Sequence, residues 1–281
     1  MTQRCTIIAE VGVNHDGDLG KALHLCDAAK YAGADIVKFQ TYLPDLSIRK
    51  GKDYDLLVRL ALPLEDFWRI SKHCKEIGIE FCSTPDDLLS LQFLVEHCGV
   101  KRIKLGSGSL LYEPLVDAAF DIGLPVLLST GMATEDEIMS AIRRQEDRYG
   151  YDRELPDDWA TIMHCVSLYP CPLELANVKA IESMQDKFGD VGYSDHTIGN
   201  YAILSAVVLG ATVVEKHFTL DNEDAGPDHC MSATPEQFER MVMKIRQTEI
   251  VLGHGRKEPS EEELAMIGRI RKDAEGFQPG L

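Results

Sequence analysis

Two histidines stand at the ends of consecutive apolar runs in this chain. Tyr193-Ser194-Asp195-His196 closes one run, and Val213-Val214-Glu215-Lys216-His217 closes the next. A helix-length segment, Ile198 to Leu209, lies between them. Two adjacent parallel strands joined by a helix would bring His196 and His217 side by side. Imidazole nitrogen is a good ligand for zinc, manganese, cobalt or iron. Gly226-Pro227-Asp228-His229 follows with further candidates. The alternative is a histidine pair satisfied by hydrogen bonds in a polar barrel mouth, without a ligand. Two lysines add a second kind of chemistry. Lys38 lies within Ile36-Val37-Lys38-Phe39-Gln40 and Lys104 within Ile103-Lys104-Leu105-Gly106. A lysine inside a buried strand is costly unless paired with an anion, so the two read as groups that bind an anionic substrate.

These residues need strands to carry them. Eight short apolar or β-branched runs recur: Thr6–Val11, Ile36–Thr41, Ile79–Thr84, Arg102–Ser107, Pro125–Thr130, Thr161–Val166, Val191–Ser194 and Val213–Phe218. Segments with helical periodicity separate them. Lys21 to Ala29 is one, and Thr134-Glu135-Asp136-Glu137 opens another in the manner of a capping box. Strands alternating with helices imply a parallel sheet. Eight units in one chain of this length suit a closed (β/α)8 TIM barrel over residues 1–255. An open doubly wound sheet would favour a G-x-G-x-x-G turn after its first strand, and Gly12-Val13-Asn14-His15-Asp16-Gly17 lacks that order. Residues 256–281 change composition and read as a tail or a truncated linker.

Polar residues gather where these runs end. They are Glu10, Lys38 with Gln40, Ser83 with Thr84, Lys104 with Ser107, Ser129 with Thr130, Ser167 with Tyr169, Ser194 with His196, and Glu215 with His217. In a TIM barrel that rim holds the catalytic groups. A strand simply leaving the core would account for the serines and threonines, but poorly for the lysines.

Composition narrows the function. The net charge of −17 argues against nucleic acid, because phosphate backbones demand basic patches. Cysteines at 5, 26, 74, 82, 98, 165, 171 and 230 form no C-x-x-C pair, so a zinc knuckle or thioredoxin motif is not expected. Met1-Thr2-Gln3-Arg4 leads straight toward a strand, and no apolar run approaches membrane-spanning length. The cytoplasm is the expected location.

The chain resembles the sialic acid synthase family, with its legionaminate, pseudaminate and spore-coat polysaccharide E branches. The stretches that carry the resemblance run in the family's order from residue 6 to residue 229. They include Ile8-Ala9-Glu10-Val11-Gly12-Val13-Asn14-His15-Asp16-Gly17, Val37-Lys38-Phe39-Gln40-Thr41, Ser83-Thr84-Pro85 and Lys104-Leu105-Gly106-Ser107-Gly108. Further on come Leu128-Ser129-Thr130-Gly131-Met132, His164-Cys165, Tyr169-Pro170, Gly192-Tyr193-Ser194-Asp195-His196-Thr197, Glu215-Lys216-His217-Phe218-Thr219-Leu220 and Gly226-Pro227-Asp228-His229.

The resemblance implies a TIM barrel that condenses phosphoenolpyruvate with an amino-sugar aldose, using a divalent metal, usually Mn²⁺, with Mg²⁺ or Co²⁺ as alternatives. It implies His196 and His217 as metal ligands. It places Lys38, Thr84, Lys104, Ser107, Ser129, Tyr169 and Ser194 on phosphoenolpyruvate, and Glu10, Gln40 and Asp228 toward the sugar. Glu215 joins the substrate-binding rim. Ser167 stands at a phosphoenolpyruvate contact where the family often has Asn. The family's small C-terminal antifreeze-like domain has no counterpart in residues 260–281, where Glu261-Glu262-Glu263 suits a helix or solvated tail. A homodimer is implied, with a barrel-to-barrel interface or a partner chain that supplies the cap. Glu10 or Asp228 would move protons, and the residues do not decide between them. Two rival readings stay open: a Schiff-base aldolase using Lys104 or Lys38, and a catalytically inactive barrel that binds sugar or phosphoenolpyruvate.

Overall fold

The computed structural model describes residues 4–149 and 159–278. Met1-Thr2-Gln3 of the expected lead and Pro279-Gly280-Leu281 of the expected tail lie outside the described residues. Eight strands alternate with helices: β1 (Thr6–Gly12), β2 (Ile36–Thr41), β3 (Glu80–Pro85), β4 (Ile103–Leu105), β5 (Val126–Ser129), β6 (Ala160–Cys165), β7 (Val191–Asp195) and β8 (Val213–His217). Each falls within a residue or two of an expected run. All pairings are parallel, in the order β3-β2-β1-β8-β7-β6-β5-β4. The short β4 abuts β3 and brings the ring nearly to closure. This is the expected (β/α)8 barrel.

Two-residue alternation divides each strand between the two sides of the wall. One set, Ile8, Ile36, Cys82, Leu127, Met163 and Val213, packs together as an apolar plug inside the barrel. The opposite set includes Ile7, Val37, Phe81, Leu128, Ile162 and Val214, and packs on the helices in the main core. There Leu25, Cys26 and Ala29 of helix Leu19–Tyr31 meet Phe67, Ile70 and Cys74 of helix Leu64–Ile77. The buried cysteines Cys26 and Cys74 are free thiols within this core. Glycine is required at Gly192 on β7, where a Cβ would sit 2.9 Å from the Val213 carbonyl oxygen and 3.1 Å from Met163 Cγ.

The helix after β5 runs from Glu135 to Tyr149, and Thr134 and Glu137 form the expected reciprocal cap. The helix between β7 and β8 is Tyr201–Val208, shorter at its start than the expected Ile198–Leu209 segment. Gly199 there takes a positive φ of 89°, which holds the chain outside helical geometry before Asn200. After helix Pro235–Leu252 come two short exposed helices, Glu261–Ala265 and Ile267–Ile270. No helix among the described residues is long and apolar enough to cross a membrane.

Candidate active site

The candidate site sits directly above the apolar plug, because each strand turns its next inward residue toward the C-terminal mouth. Two residues beyond Ile8, Ile36, Cys82, Leu127, Met163 and Val213 come Glu10, Lys38, Thr84, Ser129, Cys165 and Glu215. With Lys104 and Ser194 they line one cavity of about 310 Å³, closed above by Gln40, Ser107, Tyr169, His196, His217 and Asp228. Thirteen of the fourteen residues expected at the site therefore converge on a single pocket. Ser167 is the exception: its hydroxyl is buried without a partner behind Gly131, outside the cavity wall.

The two strand lysines are deeply buried and share a carboxylate. Lys38 Nζ lies 2.7 Å from Glu10 Oε2 and 3.5 Å from Glu215 Oε2, and donates to Thr84 Oγ1 at 3.1 Å. Lys104 Nζ donates to Ser129 Oγ at 2.8 Å and lies 3.6 Å from Glu215 Oε1. Burial works against the charged form of Lys38, but Glu10 and Glu215 overcome it and hold its pKa above the ordinary lysine value. Such a lysine stays protonated, which disfavours it as the amine of a Schiff base. Burial would likewise raise Glu215, yet Lys104, Lys38 and the Ser194 hydroxyl, donating at 2.7 Å, hold it well below the usual carboxylate range. Glu10 goes the other way. Burial pushes its carboxyl up to about 7 against the pull of Lys38.

Hydroxyls on the far side extend this cationic floor. Ser107 Oγ accepts the Gly131 amide at 2.9 Å and sits 3.1 Å from Cys165 Sγ. Gly131 must lack a side chain: a Cβ there would overlap the Ser167 hydroxyl and stand 2.9 Å from Ser107 Oγ and 3.1 Å from Cys165 Sγ.

The histidines stand as the strand ends require. Their ring centroids are 5.5 Å apart, and the half-exposed Tyr169 ring lies 4.3 Å from that of His196. His196 Nδ1 donates to the Val166 carbonyl at 2.6 Å, which leaves Nε2 with the lone pair. His217 Nδ1 is buried without a hydrogen-bond partner, and Asp228 Oδ2 is 3.7 Å away. Burial lowers both pKa values, and His196 lowers that of His217 further. Both rings are therefore neutral donors near pH 7. Glu10 and Asp228 meet over Gly12: a Cβ on that glycine would be 3.3 Å from Glu10 Oε1 and 3.6 Å from Asp228 Oδ2.

Several residues of the mouth carried no role in the sequence. Asp86 is exposed at the rim, one residue after the Ser83-Thr84-Pro85 match, and its place at the end of β3 was the available signal. Cys165 lines the wall in line with the inward alternation of β6. Asp16 and Asp224, which the sequence did not single out, join His229 of the Gly226-Pro227-Asp228-His229 candidate stretch in bringing ligand atoms within 4.8 Å of one another, the one cluster of three such groups among the described residues. Lys21 Nζ already bridges Asp16 and Asp224 at 2.6 Å each, so an ammonium supplies the positive charge there. His229 Nε2 adds a contact to Asp16 at 3.2 Å, and its Nδ1 pairs with Thr219 Oγ1 at 2.7 Å. The cluster ties the loop after β1 to the loop that carries Asp228. Asp195 and Lys216, embedded in the two histidine motifs, face away from the cavity and form a buried ion pair of 2.8 Å behind it.

Comparison with known proteins agrees with this geometry. The model of the NeuB family matches residues 25–257. The N,N'-diacetyllegionaminic acid synthase of Legionella pneumophila is 40% identical over 95% of this chain and 79% of its own length. The synthase of the same name from Campylobacter jejuni is 38% identical over 96% of this chain and 84% of its own length. The crystal structure of the N-acetylneuraminic acid synthetase of Leptospira borgpetersenii superposes with a TM-score of 0.87 at 34% identity, covering 95% of this chain and 91% of that one. A barrel with this cavity, matched along nearly its whole length, belongs to the NeuB family of sialic-acid-synthase-like enzymes.

Proposed function

We propose that this chain condenses phosphoenolpyruvate with an aldose to give a 3-deoxy-2-keto sugar acid of the nonulosonic type and inorganic phosphate. One observation carries the reading: a single cavity holds two buried lysines on its floor and two neutral, adjacent histidines on its wall. Phosphoenolpyruvate carries a carboxylate and a phosphate. Lys38 and Lys104, with Thr84, Ser107 and Ser129, offer charge-assisted and neutral donors to both. Its C3 is a weak nucleophile and must be held against an activated aldehyde.

The histidines fit a divalent cation. His217 Nδ1 is buried with no partner, His196 keeps a free nitrogen lone pair, and burial holds both rings neutral. His196 and His217 would hold Mn²⁺, Mg²⁺ or Co²⁺, which when bound supplies Lewis-acid polarisation of the aldehyde carbonyl. The remaining work falls to the chain. C3 of phosphoenolpyruvate forms the new bond to the aldehyde carbon. Water adds at C2, and the tetrahedral intermediate releases phosphate by cleavage of its C2–O bond. Of the two candidate carboxylates, Glu10 is the better proton carrier, since it is buried beside Lys38 and its pKa is raised to near the working pH. Asp228 faces the acceptor side. Gln40 and Tyr169 close the cavity above the floor.

The test is phosphate release from phosphoenolpyruvate across a panel of aldoses, with chelator and with added Mn²⁺, Mg²⁺ or Co²⁺. Release is expected to require an aldose, to stop in excess chelator and to return with metal. His217→Ala is expected to lose Mn²⁺ binding by calorimetry while keeping its circular dichroism spectrum. Full activity in excess chelator would remove the metal from the reading, and release that needs no aldose would remove condensation.

A further inference from the structure

The turn Gly12-Val13-Asn14-His15-Asp16-Gly17 leaves the barrel wall just beyond Glu10. The register of β1 with β2 shifts between Glu10 and Gly12, and Gly12 takes a positive φ of 55°. The amides of Asn14 and Asp16 close the turn on the Val11 and Val13 carbonyls, at 2.9 Å each. Bent in this way, the chain carries Asn14 to the end of β8, the strand on which His217 stands in register with Glu10.

Asn14 is fully buried there, and its side-chain nitrogen makes two bonds. Nδ2 donates to the carbonyl of Phe218, the residue after His217, at 2.9 Å, and to Ser232 Oγ at 2.9 Å. Ser232 Oγ donates in turn to the Asp228 carbonyl at 2.6 Å. Oδ1 of Asn14 accepts nothing among the described residues. A flipped amide would set that oxygen against the Phe218 carbonyl, so the group can stand only one way. One amide therefore spans the strand end that carries His217 and the loop that carries Asp228, whose Oδ2 lies 3.7 Å from His217 Nδ1. The loop is pinned at its base independently: Asn222 Nδ2 donates to the His229 carbonyl at 2.8 Å and to the Ser232 carbonyl at 2.6 Å. What Asn14 sets is the placement of loop against strand.

We propose that Asn14 is a positioning residue of the site. Through the Phe218 carbonyl it fixes the end of β8 at His217, and through Ser232 it holds Asp228 opposite. Asn14 does not itself line the cavity, so it acts only through these two arms. Groups that orient a metal-binding histidine or a reacting carboxylate from behind are typically worth about ten- to a hundredfold in metal affinity or activity. The kinetic part of this role rests on the condensation reading, within which it names what holds the acceptor side of the mouth; the metal part is measured without turnover.

The experiment has two readouts. Mn²⁺ is titrated calorimetrically into the substrate-free chain, and phosphate release is followed with phosphoenolpyruvate and an aldose that wild type accepts. The variants are Asn14→Ala, Asn14→Asp, which keeps the shape but turns an acceptor toward the Phe218 carbonyl, and Ser232→Ala with and without Asp228→Asn. Both Asn14 variants are expected to weaken Mn²⁺ binding and to lower kcat/KM for the aldose, each by roughly ten- to a hundredfold. The phosphoenolpyruvate KM should not change, because the lysine floor makes no contact with Asn14. Ser232→Ala should lower kcat/KM for the aldose, and should lower it no further once Asp228→Asn is present, since effects that pass through one carboxylate do not add. Unchanged Mn²⁺ affinity in the Asn14 variants overturns the His217 arm, and unchanged aldose kcat/KM overturns the Asp228 arm. A Ser232→Ala loss of equal size in both backgrounds, or a phosphoenolpyruvate KM that shifts as much as the aldose value, means general loosening and overturns the positioning role. Wild type that binds Mn²⁺ but releases no phosphate with any aldose overturns the condensation reading, and the Mn²⁺ titration still decides the His217 arm. Wild type that does neither overturns both. Should the Asn14 variants lose the wild-type circular dichroism spectrum, the Ser232→Ala comparison decides.

Discussion

Lys38 and Lys104 lie at a depth where an unpaired ammonium would be costly, and Glu215 between them makes that depth tolerable. An incoming trianion has to share the lysines with this carboxylate, so each lysine should matter chiefly for donor binding. Replacing either with Met is expected to raise the phosphoenolpyruvate KM by roughly ten- to a hundredfold, the worth of about 1.5–3 kcal/mol for a charge-assisted contact. Steady-state kinetics at saturating aldose reads this directly, and an unchanged KM in both variants would sink the assignment. These lysines were legible in the sequence because a cation inside an apolar strand breaks the burial rule. Their partners were not. Nothing local says that Glu215, a strand away in register with Ser194, would lie between both lysines with a lowered pKa while Glu10, 2.7 Å from Lys38, keeps a raised one. That division depends on three-dimensional distances of a few ångströms.

At the scale of the element, the period of two along each strand carries the site. The plug residues and the polar residues two positions later were both readable as strand ends, which is why nearly every expected residue reaches the cavity. Ser167 fails because it lies beyond β6, where alternation no longer fixes direction. The loops were the illegible part. Helix Tyr54–Leu60 and the Asp16–Lys21–Asp224–His229 tie depend on contacts between distant connections, which no periodicity announces. Gly131 shows how tightly one such turn is built. Gly131→Ala is expected to displace Ser107, cost about 1–3 kcal/mol of stability through overpacking, and weaken donor binding. Chemical denaturation and the phosphoenolpyruvate KM measured on the same sample would check both effects. A variant of unchanged stability and KM would show that the turn has slack.

For the whole molecule, acid sensitivity should come in part from a histidine outside the reacting cavity. His15 is buried, its Nδ1 accepts the Gly17 amide at 3.1 Å, and its ring lies against Phe39. Burial lowers its pKa from 6.5 to about 4. Between those values the unfolded chain binds a proton that the folded chain refuses. The stability tied to neutral His15 is therefore complete above pH 6.5 and is lost as pH falls through 4, about 3 kcal/mol in full. His15→Asn keeps an acceptor near the Nδ1 position and cannot titrate, so its stability should fall less steeply over this window. An acid limb identical to that of wild type would exclude His15 as a contributor. The net charge of −17 favours no particular fold, and the site's local positive charge is assembled against it from two strand lysines and hydroxyl donors.

Carbon–carbon bond formation at this mouth is open to one direct measurement. Phosphoenolpyruvate isotopically labelled at C3 is incubated with the chain, Mn²⁺ and an acceptor aldose, and label and phosphorus are followed together by NMR. The expected result is label in the methylene next to the keto group of a sugar acid, matched mole for mole by inorganic phosphate. Label recovered as pyruvate with free phosphate would mean hydrolysis alone. An equal yield of labelled sugar acid from pyruvate itself would mean aldolase chemistry. Either result would exclude the proposed condensation.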